Sequence, residues 1–510
     1  MEGKTKTVPA PVGGLNARDA LADMGPKDAY VMDNADPNTT AVGLRLGSQN
    51  WATGLPGAVE TLMPYSSPVG VNKLFAASGG NIYDVTSTGA VGAALVTGNT
   101  SNRWVYQQIT TPGGTFLMAV NGTDYAQVYN GTTWQQLTSS STPLSLTGVP
   151  TNQLSYVTLW KQRMFFAQVN SLGFWYLATT SIAGSASYFD LSAQFSLGGY
   201  LVAIVPWSAG QASNPQEYLA FISSNGEIVV YQGFDPSQAG GLFSLAMRFR
   251  VGTPVGTRPV TRYGDDVAIV STDGLFLLSQ AQTTNEADPT QALSYKIEQS
   301  INNDANTYGS NFGWAVTYWP QGSKLIVNVP TVTNSQSYQY VYNTISKAWS
   351  RYTGWNANCF EVFKNQVYWG GNGFVALGWS GNSDFGQPII ADVRQAYSYF
   401  DDPGMNKQFT LVRPAFGADD TFSTVYTLNT NFNESQQAYS LTYQPITGKS
   451  LWNVAPWNTS YWTPGLQTYN RYGAVSGIGY AGTVRMQFAS QKANVVWYST
   501  TYLYKPAGPI

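Results

Sequence analysis

Histidine is absent from all 510 residues, and cysteine occurs once. Histidine is the usual proton shuttle near neutral pH and the commonest metal ligand. Its absence excludes Ser-His-Asp and Cys-His catalysis within the chain, and every histidine-ligated metal site. Carboxylate and lysine chemistry remain open, but the expectation is a chain that is not an enzyme and holds no metal or cofactor. The lone Cys359 excludes an internal disulfide framework. It sits in an alternating apolar run with Phe360, Val362 and Phe363, which predicts packing in a core rather than reactivity. Charge is scarce too. Charged residues make up 11% of the chain, against about 25% in ordinary soluble domains. The 26 basic and 28 acidic residues leave a formal net charge of −2, so no basic excess exists to clamp nucleic-acid phosphates. A surface that DNA merely slides past needs none. Long apolar runs are lacking: stretches such as residues 200–205 are too short to cross a bilayer as a helix. The first residues show no apolar core of a secretory leader, so none is expected.

With 43% apolar residues the chain is outside the disordered class. It reads as folded, with a neutral surface rich in Ser, Thr, Asn and Gln. Such a surface protects poorly against association, which points to a chain covered in an assembly. The alternative is a secreted β-protein with a polar coat.

What is abundant is aromatic residues, at 14%, and turn residues, with 51 glycines and 26 prolines. Helical periodicity is nearly missing; one weak stretch lies over 19–33. Elsewhere the pattern is strand, tight turn, strand. The clearest hairpin covers residues 219–231, with Asn225-Gly226 predicted to fill the two positive-φ positions of a type I′ turn. Asn121-Gly122, Asn130-Gly131, Asp273-Gly274 and Asn372-Gly373 repeat the device. Loosely similar units recur. Residues 128–137 resemble 341–352, each a strand, a short turn and a Trp opening the next strand, and each is preceded by another strand at 115–120 and 324–329. Residues 73–85, 163–177, 267–278 and 365–377 fit the same template. Six to seven degenerate units at about 40–55-residue spacing match β-propeller blades, which cannot bury their faces singly. A tandem of β-sandwiches is the competing architecture. The expected fold is therefore all-β: a propeller over 61–384 and an antiparallel sandwich platform over 385–510. Residues 1–60, with few strand signals, read as an arm or loop layer packing with that platform.

Carboxylate pairs are the main catalytic chemistry left. Asp265-Asp266, Asp401-Asp402 and Asp419-Asp420 are doublets, but adjacent side chains on a strand face opposite ways, and all three lie at turn-like positions. Turn capping is the expected role. Gly131 to Trp134 matches half of the Asp-box turn of sialidase propellers, with Tyr129 and Gln127 where that motif has Asp and Ser; it favours blades and not a sialidase. Trp452, Trp457 and Trp462 recur every five residues. Aromatics at this spacing serve as sugar or nucleobase platforms, or fill a loop core or a subunit interface; the interface reading is preferred. Arg103, Arg163, Arg248, Arg250, Arg258, Arg262, Arg394 and Arg413 are scattered and read as solvated strand faces, the alternative being contacts to DNA or a partner. Sequons such as Asn121-Gly-Thr and Asn458-Thr-Ser carry no weight without a leader.

Residues 9–24, with Gly13-Gly14-Leu15-Asn16 and Asp19, then 28–37 and the run Arg45 to Ser48, resemble the N-terminus of tail proteins of short-tailed bacteriophages, those called tail nozzle, tail hub or packaged-DNA stabilisation proteins. Residues 452–462, 477–482 and 496–504 resemble their C-termini. The resemblance touches both ends, and the middle shares only its β-repeat character. It implies a homohexameric ring at the far end of a short tail, in the virion, made in the host bacterial cytoplasm. Each subunit would carry a propeller. The ring would dock on a tail adaptor, bear fibres or a needle, and enclose the exit channel for double-stranded DNA without binding it specifically. Gly13, Gly14, Leu15, Asn16 and Asp19 would form a docking arm; a plain turn packed on the chain's own sandwich is the other reading. Two rivals remain: a carbohydrate-binding or glycan-cleaving propeller, and a trimeric receptor-binding tail part.

Overall fold

The computed structural model describes residues 3–209, 216–237, 242–284, 288–435, 437–443 and 466–509. The chain divides into two compact units. One comprises Asn50–Tyr338 and Trp355–Leu377; the other comprises Met1–Gln49, Gln339–Gly354 and Gly378–Ile510.

Among the described residues the first unit is a β-propeller of seven blades, with a two-stranded ladder of Leu146–Thr147 and Gly184–Ser185 beside them. Blade 1 is the later part of Ser48–Ser66 with Asn72–Ser78 and Asn81–Asp84. Blade 2 runs Val105–Thr111, Gly114–Val120, Gln127–Tyr129, Trp134–Gln136. Blade 3 is Leu154–Trp160, Arg163–Gln168, Phe174–Tyr176 and Ser187–Phe189, and blade 4 is Leu201–Ala209, Gln216–Ser223, Glu227–Gly233 and Phe243–Arg250. Blade 5 has three strands, Val260–Tyr263, Asp266–Ser271 and Gly274–Leu277. Blade 6 pairs Ala315–Trp319 with Lys324–Val332, and blade 7 is Cys359–Phe363, Gln366–Gly370 and Asn372–Gly378.

Each blade alternates in and out along its strands, so both faces carry apolar side chains and must be covered by neighbours. Met63, Phe75, Leu117 and Tyr129 form the layer between blades 1 and 2. Phe165, Phe174, Leu219 and Phe221 fill the layer between blades 3 and 4, with the Phe174 and Phe221 rings stacked at 4.8 Å. The ring closes where Val59 and Leu74 of blade 1 meet Cys359, Phe363 and Val375 of blade 7. Cys359 is thus a core residue, as its flanks predict. Burial pushes its thiol up to about 12, which makes it a poor nucleophile.

The turns differ from expectation. In all five Asn-Gly and Asp-Gly pairs the glycine has positive φ and the residue before it does not, so none is a type I′ turn. The hairpin at 219–231 is present, but its loop spans three residues. Gly226 N–H donates to Ser223 O at 3.1 Å, and only Gly226 is left-handed, at φ 81°. Asn130 instead uses its side chain, accepting from the N–H groups of Thr132 (2.9 Å) and Thr133 (2.8 Å), an Asx turn that needs no positive φ. At Gly226 a Cβ would collide with the Val251 carbonyl. Gly226→Ala should therefore cost about 1–2 kcal/mol for the left-handed backbone alone, read as a lowered denaturation midpoint; an unchanged midpoint would refute the turn assignment.

Two helices follow blade 5, Leu278–Thr284 and Glu298–Tyr308. Neither was expected. The second is polar and buries only Ile301 and Ala305, one i,i+4 pair, which is too thin an apolar stripe to register as periodicity. The 19–33 stretch, by contrast, is not helical: Asp28–Asp33 is a strand.

The second unit is the expected antiparallel sandwich. One sheet centres on the long pair Met405–Ala418 and Val495–Pro509; the other joins Asp28–Asp33, Gln387–Gln395, Gly482–Ser490, Phe422–Thr430 and Ala438–Tyr443. Phe416 of the first sheet packs against Phe422, Tyr443 and Phe488 of the second. The N-terminal residues are not a loop layer. Lys4–Pro9 is an edge strand on Val495–Pro509, and Ala35–Pro37 and Val42–Leu44 extend the same sheet. Both unit boundaries shift accordingly. Residues 50–60 belong to the propeller, while 339–354, with the Trp349 strand, belongs to the sandwich unit.

Candidate functional site: the axial cavity of the propeller

A propeller brings the first strands of its blades together around an axis, and groups on those strands converge there from positions far apart in sequence. Here a cavity of about 280 Å³ is lined by residues from five blades: Tyr106 of blade 2, Tyr156 of blade 3, Arg258 entering blade 5, Tyr318 of blade 6 and Glu361 of blade 7. Only the axis can be reached by so many blades.

Arg258 is fixed through one nitrogen. Its Nη2 donates to Thr61 Oγ1 at 2.9 Å and to the Trp104 carbonyl at 2.7 Å, and its guanidinium lies 5.6 Å from the centre of the Tyr106 ring. Both acceptors are neutral. Among the described residues no carboxylate forms an ion pair with it. Burial lowers its pKa from the ordinary guanidinium value, with smaller opposing effects from Cys359 and Tyr156. Glu361 accepts from Tyr106 Oη and, through Oε1, from the Val362 N–H at 3.1 Å. Burial pushes its carboxyl up to about 8, against a weaker pull from that N–H. At neutral pH it is mostly protonated. Burial likewise raises Tyr156, to about 12. The cavity thus holds a permanent cation and a neutral acid. Of the residues lining it, Glu361 alone carries a carboxyl group, so the two-carboxylate chemistry of glycoside hydrolysis cannot run there. Among the described residues no cluster of Cys, Asp and Glu is grouped to hold a metal ion, and no helix is long and apolar enough to cross a membrane.

No protein-family model matches the chain, and no curated protein does. Solved structures similar to it include BBS1N in complex with ARL6DN (10% identity, TM-score 0.39, 65% of this chain and 96% of that one). Others are YCF48 from Cyanidioschyzon merolae (11%, 0.33, 64% and 98%) and YCF48 bound to D1 peptide (9%, 0.35, 71% and 98%).

The residues singled out from sequence fall in different places. Gly13, Gly14, Leu15, Asn16 and Asp19 do come together, but inside the sandwich unit rather than on a free arm. Gly14, Leu15 and Asn16 are buried. Asn16 Nδ2 donates to Asp19 at 2.8 Å and to Asp28 at 2.9 Å, while its Oδ1 accepts from the Arg18 and Asp19 N–H groups. Gly14 is left-handed at φ 81°, and a Cβ there would sit 2.6 Å from the Trp349 carbonyl, so only glycine fits. Trp452, Trp457 and Trp462 lie outside the described residues.

The acidic doublets serve turns and loops. Asp266 accepts from Trp207 Nε1 at 2.9 Å and the Val267 N–H at 2.8 Å. Asp401 pairs with Lys6 at 2.6 Å, and Asp419 accepts from the Asn494 N–H at 2.8 Å. Three of the arginines meet carboxylates: Arg103 with Glu60 at 3.2 Å, Arg163 with Asp235 at 3.3 Å, and Arg394 with Glu434. Arg258 does not lie on a solvated face but lines the axial cavity. Glu361 was missed altogether. Its signal was legible: a single carboxylate in the middle of the apolar strand Cys359–Phe363.

Proposed function

We propose that this chain is a structural component of a bacteriophage tail, a subunit of the nozzle or hub ring through which DNA leaves the particle. The observation that carries the reading is the role of the residues behind the resemblance. Gly13, Gly14, Asn16, Asp19 and Asp28 form one polar, close-packed cluster in the sandwich unit, and Arg45 ties Asn34, Thr353 and Asp384 of the same unit together. A propeller in each subunit is also what the resemblance implies. The scarcity of charge suits a ring whose subunits cover one another. A channel wall without basic excess lets DNA pass, since a lining of Arg and Lys would hold it through counterion release. Adaptor, fibres and needle would dock on the ring and contact the sandwich.

Electron microscopy of the purified protein, alone and in particles, tests this. Six-fold rings at the distal end of a short tail are expected. A protein that stays monomeric at all concentrations and binds or cleaves glycans would replace the proposal with the carbohydrate reading; three-fold assembly would replace it with the receptor-binding one.

A further inference from the structure

We propose that the axial cavity of the propeller is a binding site for a small anion, a carboxylate or tetrahedral oxyanion group, anchored by the guanidinium of Arg258. The inference starts from an imbalance. Arginine stays protonated in proteins, and half-buried Arg258 has no carboxylate partner among the described residues to offset its partial loss of water. Arg258 uses Nη2 on two neutral acceptors. Three of its five N–H donors, on Nε and Nη1, have no acceptor among the described residues, and the side chain lines the cavity. These N–H groups point to different sides of the guanidinium, and each can donate singly, with charge assistance, to an oxygen of a carboxylate or oxyanion.

The surroundings select for such a guest. The one carboxyl in the cavity, Glu361, is held by Tyr106 and the Val362 N–H and is mostly uncharged at neutral pH because burial raises it. A protonated carboxyl donates a hydrogen bond instead of repelling an anion. Tyr106, Tyr156 and Tyr318 line the same space from three further blades. The volume, about 280 Å³, suits a molecule of a few heavy atoms and not a polymer segment. Glu361 then makes occupancy depend on pH. Ionised, it places a negative charge in the same small cavity. The other titratable groups on the strands around it do not interfere near pH 8: Tyr156 and Cys359 are each pushed to about 12, and Glu60 is paired with Arg103.

Titration calorimetry of the full chain with acetate and, separately, sulfate tests the site, because neither changes charge between pH 6.5 and 9. Saturable binding of at least one is expected at pH 6.5, and which one binds says whether the site prefers a planar or a tetrahedral anion. Affinity should fall about tenfold by pH 9, the factor set by a group that ionises near 8. In Arg258→Gln, binding at pH 6.5 should be at least tenfold weaker. In Glu361→Gln the ratio of affinities at the two pH values should drop to about one. No saturable binding of either anion to the native chain would overturn the proposal, as would native affinity in a folded Arg258→Gln. Should that variant fail to fold, the Glu361→Gln comparison decides: an undiminished tenfold loss at pH 9 would also overturn it.

Discussion

Arg45→Met should lower the stability of the sandwich unit by about 3–5 kcal/mol, the range for removing one partner of a buried ion pair. The Arg45 side chain is 1% exposed. Its Nη2 and Nη1 meet the Asp384 carboxylate at 2.5 and 3.1 Å, Nε donates to Asn34 Oδ1 at 2.8 Å, and further bonds reach the carbonyls of Thr353 (2.9 Å) and Leu46 (3.0 Å). One guanidinium therefore ties together three stretches of the unit: the N-terminal strands, the 339–354 hairpin and the turn at 384. Methionine fills most of the volume but leaves the Asp384 charge without its cation and several buried oxygens without donors. Arg45→Lys should recover only part of the loss, because a point ammonium cannot reproduce a planar fork. Pairing Arg45→Met with Asp384→Leu should cost less than Arg45→Met alone, since the stranded charge goes too. Urea unfolding followed by a probe in the sandwich unit checks the series. A single variant within 1 kcal/mol of the native chain would show that the clamp is dispensable.

That clamp shows how sequence and structure relate here. Blade strands were readable because each is short, alternating and bounded by turn residues, and all seven blades contain a segment recognised that way. The turns were read less well. Asn-Gly suggested positive φ at both positions, whereas Asn130 supplies a side-chain acceptor that satisfies the loop by another route. The helix Glu298–Tyr308 was hidden because it buries two residues. Up to residue 44 the N-terminal segment looks like a loop layer because its strands run only two to six residues and three of them pair with partners hundreds of positions away, information that local pattern does not hold. The same holds for the cavity. Arg258 carries no signal in sequence and Glu361 only that of a lone carboxylate in an apolar strand, and only ring closure places them on one axis.

The second large effect is a pH dependence of the propeller set by Glu361. Its carboxyl is near 8 in the folded chain and returns to about 4.3 when unfolded. The folded state therefore holds the extra proton between those values, and stability falls as pH rises through that window. The stabilisation is fully present below about 4.3 and is lost once pH passes 8. The slope is at most about 1.4 kcal/mol per pH unit. Water reaching the cavity softens it, so a loss of about 2–4 kcal/mol between pH 5 and 8.5 is expected. Other carboxylates act elsewhere and with the opposite sign. Burial alone would raise Asp124, but bonds from Thr100, Ser101 and Asn121 outweigh it and leave its pKa lowered. Burial would likewise raise Glu227, which bonds from Ser196 and Leu197 leave lowered. Their stabilisation is present above the unfolded carboxylate value and is lost only as pH falls below it. Glu361→Gln keeps an acceptor for Tyr106 and the Val362 N–H but cannot ionise. It should flatten the profile between pH 5 and 8.5 and leave the acid limb unchanged. Denaturant midpoints of the two proteins across pH 3–9 decide it: parallel curves above pH 5 would mean that Glu361 is ionised in the native cavity, and the neutral acid there would have to be abandoned.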